Sequence, residues 1–595
     1  MKKEQFKRML LPVALILTMA IAPIFGTIQT SAANPEPFFY IDVLAPNTNA
    51  ARNQWATMMT EQWPKIGIGI DTFDHTSWAQ LTPRTWDYPG PYPIPTYDEG
   101  GFDLFYVGLS WDLDWDPSGL LGSDDWIPGG SNWYQYSSEE YDELVELYTS
   151  AFLAADRLEY GKQIQQLLYE DLPMLIIVYD RQLFVYNPDL TGWDPLLWTA
   201  SYQPMEHWSL GSETELHYAM PADFVDFHVL LYESVYDAYW LRQIYNPIIE
   251  RENDTGLLKE RICTSYSTED GLTWTFSLDP NAKWGDGTAL TAEDVVFTFQ
   301  SMLTPGLGST SYSIYATYLD NESITAVDAN TVQFELSQPY AFAMPSLFYT
   351  NLIPKHIWEP IDITQWGQQA IDWAENDPSK LVGAGPYRFK EWDATNGVII
   401  LEKNPHFSDM ENGDEPILDE IYFEFYSNKE GALSALEAGT VDIVDTYFHV
   451  SPSEAELMTN QATAIVASPG YQEIALNNMN PYFGTGEACP IAGEDSARYV
   501  RKALNTMIPR DIIVEEILEG LGAPGLTCFP DASVGFDDTL EPYEYSVELA
   551  KDYMRQAGFE YNEEPTDGGG IGLIVFMSIL ALAGATQFFL LKRRK

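Results

Sequence analysis

The sequence predicts a folded protein of more than one domain that combines strands and helices, and three observations lead to that prediction. The chain has 595 residues, enough for two or three domains with a large buried core. Hydrophobic residues make up 45% and charged residues 20%, the proportions of a globular protein rather than a disordered one. Near the middle, DGLTWTFSL (Asp270–Leu278) alternates apolar and polar positions as a half-buried strand does, and a glycine turn and a capped helix follow it.

From the N-terminus, residues 1–33 carry Lys2, Lys3, Lys7 and Arg8, an apolar run from Met9 to Phe25, and small residues at Ser31, Ala32 and Ala33. That order is the pattern of a secretory signal peptide, with cleavage expected after Ala33. In the middle stretch, Leu272, Trp274, Phe276 and Leu278 are expected to share one strand face, and Lys283 and Trp284 form a second short edge. Gly285, Asp286 and Gly287 make the turn, where positive φ is available. Thr291 is the expected helix cap, with Glu293 and Asp294 in the first turn and Val295, Val296 and Phe299 facing the core.

At the other end, residues 563–570 read as a Gly-rich linker, and the apolar run Ile571–Leu591 would span roughly 30 Å at about 1.5 Å per residue. It is expected to be a transmembrane helix, with the basic tail 592–595 cytoplasmic and the bulk of the chain outside.

The net charge of −57 comes from 88 acidic against 31 basic residues, and no Lys/Arg stripe reverses it, so nucleic acid is excluded as an expected partner. Three cysteines without CxxC spacing do not make a zinc ribbon. Cys489 and Cys528 both lie in Gly/Pro-rich segments, which leaves open either a disulfide or buried thiols. No HExxH, GxSxG or P-loop occurs, and the seven histidines do not cluster. GLGAPG (Gly520–Gly525) has GxGxxG spacing but follows a helical run, so it reads as a loop. Neither a catalytic site nor a resident cofactor is expected.

Several longer stretches resemble one family. QIYNPIIERENDTG (Gln243–Gly256), the stretch Asp270–Phe299 and IPKHIW (Ile353–Trp358) look like the first half of the family 5 solute-binding proteins, the extracytoplasmic peptide, dipeptide and nickel receptors of ABC importers. LVGAGPYRFKEW (Leu381–Trp392), Leu418–Ile443 and YVRKALNTMIPRDII (Tyr499–Ile513) continue the likeness in the family's order up to LAKDYMRQAGF (Leu549–Phe559). The family's closing portion then resembles residues before, not after: Ala51–Phe73, Phe102–Pro117 and Asn132–Tyr179.

The resemblance therefore implies a two-lobed, periplasmic-binding-protein-like α/β fold in a circularly permuted order. Residues 34–212 would stand for the family's C-terminal part and 213–562 for its N-terminal and middle parts. Permutation keeps packed contacts when the old ends lie close together. Exchange of halves between two chains is the alternative, and a monomer is the expectation.

In peptide-binding members a Trp-x-x-Asp element supplies the acid that meets the peptide's free amine, and Trp111 and Asp114 in SWDLDWDP stand at the matching positions. The segment is about one residue shorter than the family pattern before Pro117, which affects where the carboxylate points. Asp112, Asp114 and Asp116 also admit a calcium reading, opposed by Pro117 where the loop needs glycine and Ser123 where it needs glutamate. Tyr245, Trp274, Tyr387 and Trp392 read as packing, and Asn477 as the residue that closes a strand. The expected function is capture of a peptide or other small solute and delivery to an ABC permease and its ATPase. A surface sensor or adhesion protein on the same fold, or an extracellular hydrolase, are the alternatives.

Overall fold

The computed structural model describes residues 34–562 other than 48, 112, 118, 194–204, 233 and 253–254. One eleven-stranded mixed sheet organises them. Its strands are β1 (Phe39–Pro46), β2 (Ile68–Thr76), β3 (Leu104–Ser110), β4 (Met174–Tyr186), β5 (Glu215–Met220), β6 (Tyr387–Asp393), β7 (Val398–Lys403), β8 (Glu420–Phe425), β9 (Ile443–Val444), β10 (Ala462–Leu476) and β11 (Gly522–Pro524). They lie in the order β6-β7-β8-β5-β9-β4-β10-β3-β1-β2, with β11 on β4. The first four come from residues 34–212, and β10 is inserted between β4 and β3, so the two sequence blocks share one sheet.

The long strands β4 and β10 connect its two halves. They pair antiparallel from Tyr186↔Ala462 to Arg181↔Ala467, lose register, and pair again from Tyr179↔Tyr471 to Met174↔Ala475. Pro469 lies in the break, where a residue without an N–H cannot continue the ladder. Beyond the break β3 pairs with β10, whereas before it β9 pairs with β4. The α/β architecture is thus two-lobed, with two crossing strands as the join.

Seven helices matter below: α1 (Ala50–Gln62), α2 (Glu139–Ser150), α3 (Ala154–Asp171), α4 (Val235–Ile244), α5 (Ala292–Met302), α6 (Glu494–Thr506) and α7 (Val547–Gln556). Around β1 and β2, Trp55, Met59, Trp63 and Ile66 are buried in one cluster with Leu504, Met507, Met554 and Phe559. Each such side chain contributes about 1.5–3 kcal/mol on burial, so the first and last described segments are bound into one core. The Phe559 ring lies 5.0 Å from Phe38 and 5.6 Å from Phe39. Tyr561 donates to the Ile66 carbonyl at 2.8 Å, and Trp63 Nε1 to that of Leu504 at 3.3 Å.

The middle stretch folds nearly as its pattern predicts. Thr273–Leu278 is a strand of a separate four-stranded sheet, with Trp274, Phe276 and Leu278 buried, whereas Leu272 precedes the strand and is only half-buried. Gly287 has φ +87°, the left-handed turn position. Thr291 and Asp294 form a capping box at the start of α5. Val295 and Phe299 are buried, but Val296 is only half-buried. Thr298 takes the inward place: its Oγ1 donates to the Asp294 carbonyl at 2.9 Å and accepts from the Ile353 N–H at 3.1 Å.

Three expectations change or fall elsewhere. Cys489 and Cys528 form no disulfide; both are buried free thiols, held in different core clusters, and Cys489 Sγ donates to the Tyr482 carbonyl. Within Gly520–Gly525, residues 522–524 form β11 rather than a loop, pairing with Val178–Asp180 of β4. The signal segment 1–33, the linker 563–570, the apolar run 571–591 and the tail 592–595 lie outside the described residues. Among those described, no helix is long and apolar enough to cross a membrane.

Candidate functional site

Asp114 follows β3 in a loop that leaves the sheet beside the break in β10, where the Trp111 N–H donates to the Pro469 carbonyl at 2.9 Å. Its side chain is 8% exposed, and both oxygens accept from arginines. Oδ2 is 2.5 Å from Arg251 Nη2, and Oδ1 is 3.3 Å from Arg157 Nη2. Arg251 lies at the end of the short strand Ile249–Arg251 and also donates to the Gly256 carbonyl at 2.7 Å. Arg157, in the first turns of α3, donates to the Ala341 carbonyl and lies over the Phe342 ring, 5.1 Å from its centre.

These bonds join the two sequence blocks, because Asp114 and Arg157 belong to the first and Arg251, Ala341 and Phe342 to the second. A buried carboxylate between two guanidinium groups meets the requirement that buried charge be paired and hydrogen-bonded. It also changes what Asp114 can do: a ligand ammonium must replace a guanidinium rather than meet an open carboxylate.

Asp114 lines a cavity of about 490 Å³ together with Arg242, Arg251, Tyr232 and Tyr349. That volume lies in the range of roughly 300–1,000 Å³ usual for small-molecule sites. Arg242, on α4, accompanies the Tyr232 hydroxyl at 3.2 Å. The guanidinium carbons of Arg242 and Arg251 each lie 5.3 Å from the Tyr349 ring centre, within cation–π range. Ser309, Thr310, Ser311 and Asn351 add hydroxyl and amide groups to the wall. The lining carries two guanidinium groups against one carboxylate, a local positive excess in a chain of net charge −57. Burial pushes the Tyr340 hydroxyl up to about 12, so it lines the cavity as a neutral donor.

Trp111, the other residue of the matched element, is only partly buried against the core and is not among the side chains lining this cavity. Tyr245, Trp274 and Tyr387 are core residues, and Trp392 is half-buried against the same cluster. Asn477 is fully buried at the end of β10. Its amide donates to the carbonyls of Ile94, Pro95 and Phe102 and accepts from Gln135 Nε2 at 2.8 Å. Among the described residues no group of three or more His, Cys, Asp or Glu side chains is arranged to hold a metal. Sequence reasoning missed Arg157, Arg242 and Arg251. Only Arg242 carried a signal, standing alone among the apolar residues of YWLRQIY in a chain poor in basic residues, whereas Arg157 and Arg251 lie in charged stretches that mark no partner.

Comparison with known proteins bears on what such a cavity is for. Residues 258–578 match the family model described as bacterial extracellular solute-binding proteins, family 5 Middle. The periplasmic murein peptide-binding protein MppA of Escherichia coli (strain K12) is 24% identical over 338 residues, 54% of this chain and 58% of that protein. The oligopeptide-binding protein OppA of Bacillus subtilis (strain 168) is 25% identical over 331 residues, 53% of this chain and 57% of its own length. The chain thus spans just over half the length of the curated relatives it matches. Among solved structures, the unliganded open form of MppA covers 59% of this chain and 66% of its own, at 21% identity and a TM-score of 0.44. The Bacillus subtilis protein AppA in complex with a nonapeptide covers 60% and 65%, at 22% identity and a TM-score of 0.39. With the family model matching more than half of its residues, the chain belongs to the family 5 bacterial extracellular solute-binding proteins, which bind solutes rather than transform them.

Proposed function

We propose that the protein is a receptor that encloses a peptide, or another solute of similar size, in the cleft between its two lobes and delivers it to an ABC permease driven by a separate ATPase. One observation carries the reading: a cavity of about 490 Å³ is lined by Asp114 from the first block and by Arg242, Arg251 and Tyr349 from the second. A site built from both lobes senses their closure, as a receptor must if closed and open forms are to differ at the transporter. The names of MppA and OppA, which bind murein peptide and oligopeptide, support a peptide ligand.

In this reading the peptide's ammonium reaches Asp114 by displacing Arg157, the longer of the two contacts, and its carboxylate is held by Arg242 and Arg251. We further infer a circularly permuted order in a monomer, residues 213–562 preceding 34–212 in the family's sense. The rings of Phe38 and Phe39 against Phe559 support it, because those positions are the ones that permutation makes neighbours. The match to little more than half of each relative also supports it, since an alignment in chain order can follow only one of two rotated blocks. From the sequence pattern of residues 1–33 and 571–591 we also infer a single-pass membrane protein with its binding body outside.

The test is mass spectrometry of ligand released from the purified full chain, beside Asp114→Ala. Peptides with free amino ends, retained by the native protein and lost from the variant, are the expected result. Bound sugars would overturn the peptide assignment and the Asp114 contact, and turnover of a peptide added to the protein would overturn the receptor reading.

A further inference from the structure

A second cavity, of about 530 Å³, lies wholly within the first block. Its walls are Trp78, Trp86 and Trp133, with Val107, Leu109 and Ile127 as aliphatic neighbours. The indoles are inclined to one another: Trp86 is centred 5.5 Å from Trp78 at 39° and 5.6 Å from Trp133 at 57°. All three remain only partly buried, although such side chains favour full removal from water. Two lining glycines are set by the close approach of the wall behind them. A Cβ at Gly130 would collide with the Asp125 backbone, and one at Gly108 would come within 2.6 Å of the Gln472 side-chain amide.

Two polar observations accompany the aromatic ones. Trp133 Nε1 is buried and has no acceptor among the described residues. Arg52, 7% exposed, has its guanidinium carbon 6.0 Å from the Trp78 ring and donates through Nη2 to Gln472 Oε1 at 2.7 Å, while its buried Nε has no acceptor among the described residues. Both atoms lie behind the cavity surface, so the walls decide the ligand: the tilted indoles offer a ring both faces and edges, which an aliphatic group cannot use.

We propose that the Trp78–Trp86–Trp133 cavity is a binding site for an aromatic ring, separate from the arginine-lined cavity at Asp114. The ring can come from a free aromatic compound or from an aromatic residue of a captured peptide, whose chain then runs along the loop that joins Leu109 of this cavity to Asp114 of the other. The proposal does not depend on the receptor reading, because its walls include no residue of the Asp114 cavity.

The experiment is a ligand-observed NMR titration of the purified full chain with N-acetyl-phenylalaninamide, N-acetyl-alaninamide and the tripeptide Ala-Phe-Ala. The phenylalanine amide is expected to bind at least ten-fold more tightly than the alanine amide. Trp86→Ala should remove that preference. Ser131→Trp, which fills the cavity from an exposed lining position, should remove it too and guards against a misfolded first variant. Ala-Phe-Ala should compete with the phenylalanine amide for the cavity; tighter binding of the tripeptide identifies a peptide as the natural source, and equal or weaker binding a free aromatic compound. Equal binding of the two amides by the native protein, or a preference that survives both cavity variants, would overturn the proposal.

Discussion

Replacing Asp114 with alanine tests whether the carboxylate between Arg157 and Arg251 is an essential tie between the two blocks. Arg251 is 4% exposed and Arg157 11%, so neither guanidinium can turn freely to water when the acid is removed. Arg251 keeps the Gly256 carbonyl and Arg157 the Ala341 carbonyl, but both lose the charge that offsets their own desolvation. Breaking a buried pair from one side costs about 3–5 kcal/mol. The exposure of Arg157 and the surviving carbonyl bonds put the expected value near the lower end, about 3 kcal/mol. Urea denaturation followed by tryptophan fluorescence reads it. Asp114→Asn, which keeps an acceptor, should lose less, and Arg251→Met added to Asp114→Ala should restore part of the loss, because the second change removes the unpaired charge. A loss under about 0.5 kcal/mol for Asp114→Ala, or purely additive behaviour of the double variant, would show that the cluster is a screened surface feature and refute the reasoning.

Three further outcomes are expected. Burial raises the Glu473 carboxyl from its ordinary 4.5 to about 8, with Tyr134 donating to it at 2.6 Å. The folded protein therefore holds a proton that the unfolded chain has released, so this group's contribution is full below about pH 4.5 and is lost as pH rises to about 8. At about 1.36 kcal/mol per pH unit that is roughly 5 kcal/mol, and Glu473→Gln should flatten the fall in a series of urea midpoints; an unchanged slope would count against a buried neutral acid. Asn477→Ala strips the carbonyls of Ile94, Pro95 and Phe102 of a buried donor and should cost about 3 kcal/mol or more, with faster amide exchange across residues 94–103 as the readout. Thr291→Ala removes half of a capping box and should lower stability by about 1 kcal/mol by the same denaturation, whereas Thr291→Asp should restore it.

What the sequence made legible was local. Trp274, Phe276 and Leu278 were found on one strand face because alternation is a two-residue property, and the Thr291–Asp294 cap because its chemistry spans one helical turn. Val296 was misplaced because the helical period alone does not tell Val from Thr at the edge of the buried face, and Thr298 turned inward to meet the Ile353 N–H. The short strand in Gly520–Gly525 was hidden because its pairing partner, β4, lies more than 300 residues earlier. The same limit applies to the site. Asp114 could be singled out from its motif, but its partners lie 43 and 137 residues away, and no spacing along the chain reports them. The three indoles of the second cavity are likewise unmarked in the sequence, because Trp78, Trp86 and Trp133 follow no period. Cys489 and Cys528 looked like equivalent loop cysteines, and only packing separates them into different cores.

The central claim is that residues 34–212 and 213–562 form one folded body whose order along the chain is rotated. The most direct measurement is to rotate it back: a chain running from Glu213 to Asn562 and then, through a short Gly/Ser linker, from Asn34 to Leu210. The account predicts the same circular dichroism spectrum, the same distances from Phe38 to Phe559 by crosslinking of cysteine pairs placed there, and a monomeric mass. A rearranged chain that fails to fold, or that regains its structure only as an obligate dimer, would contradict it.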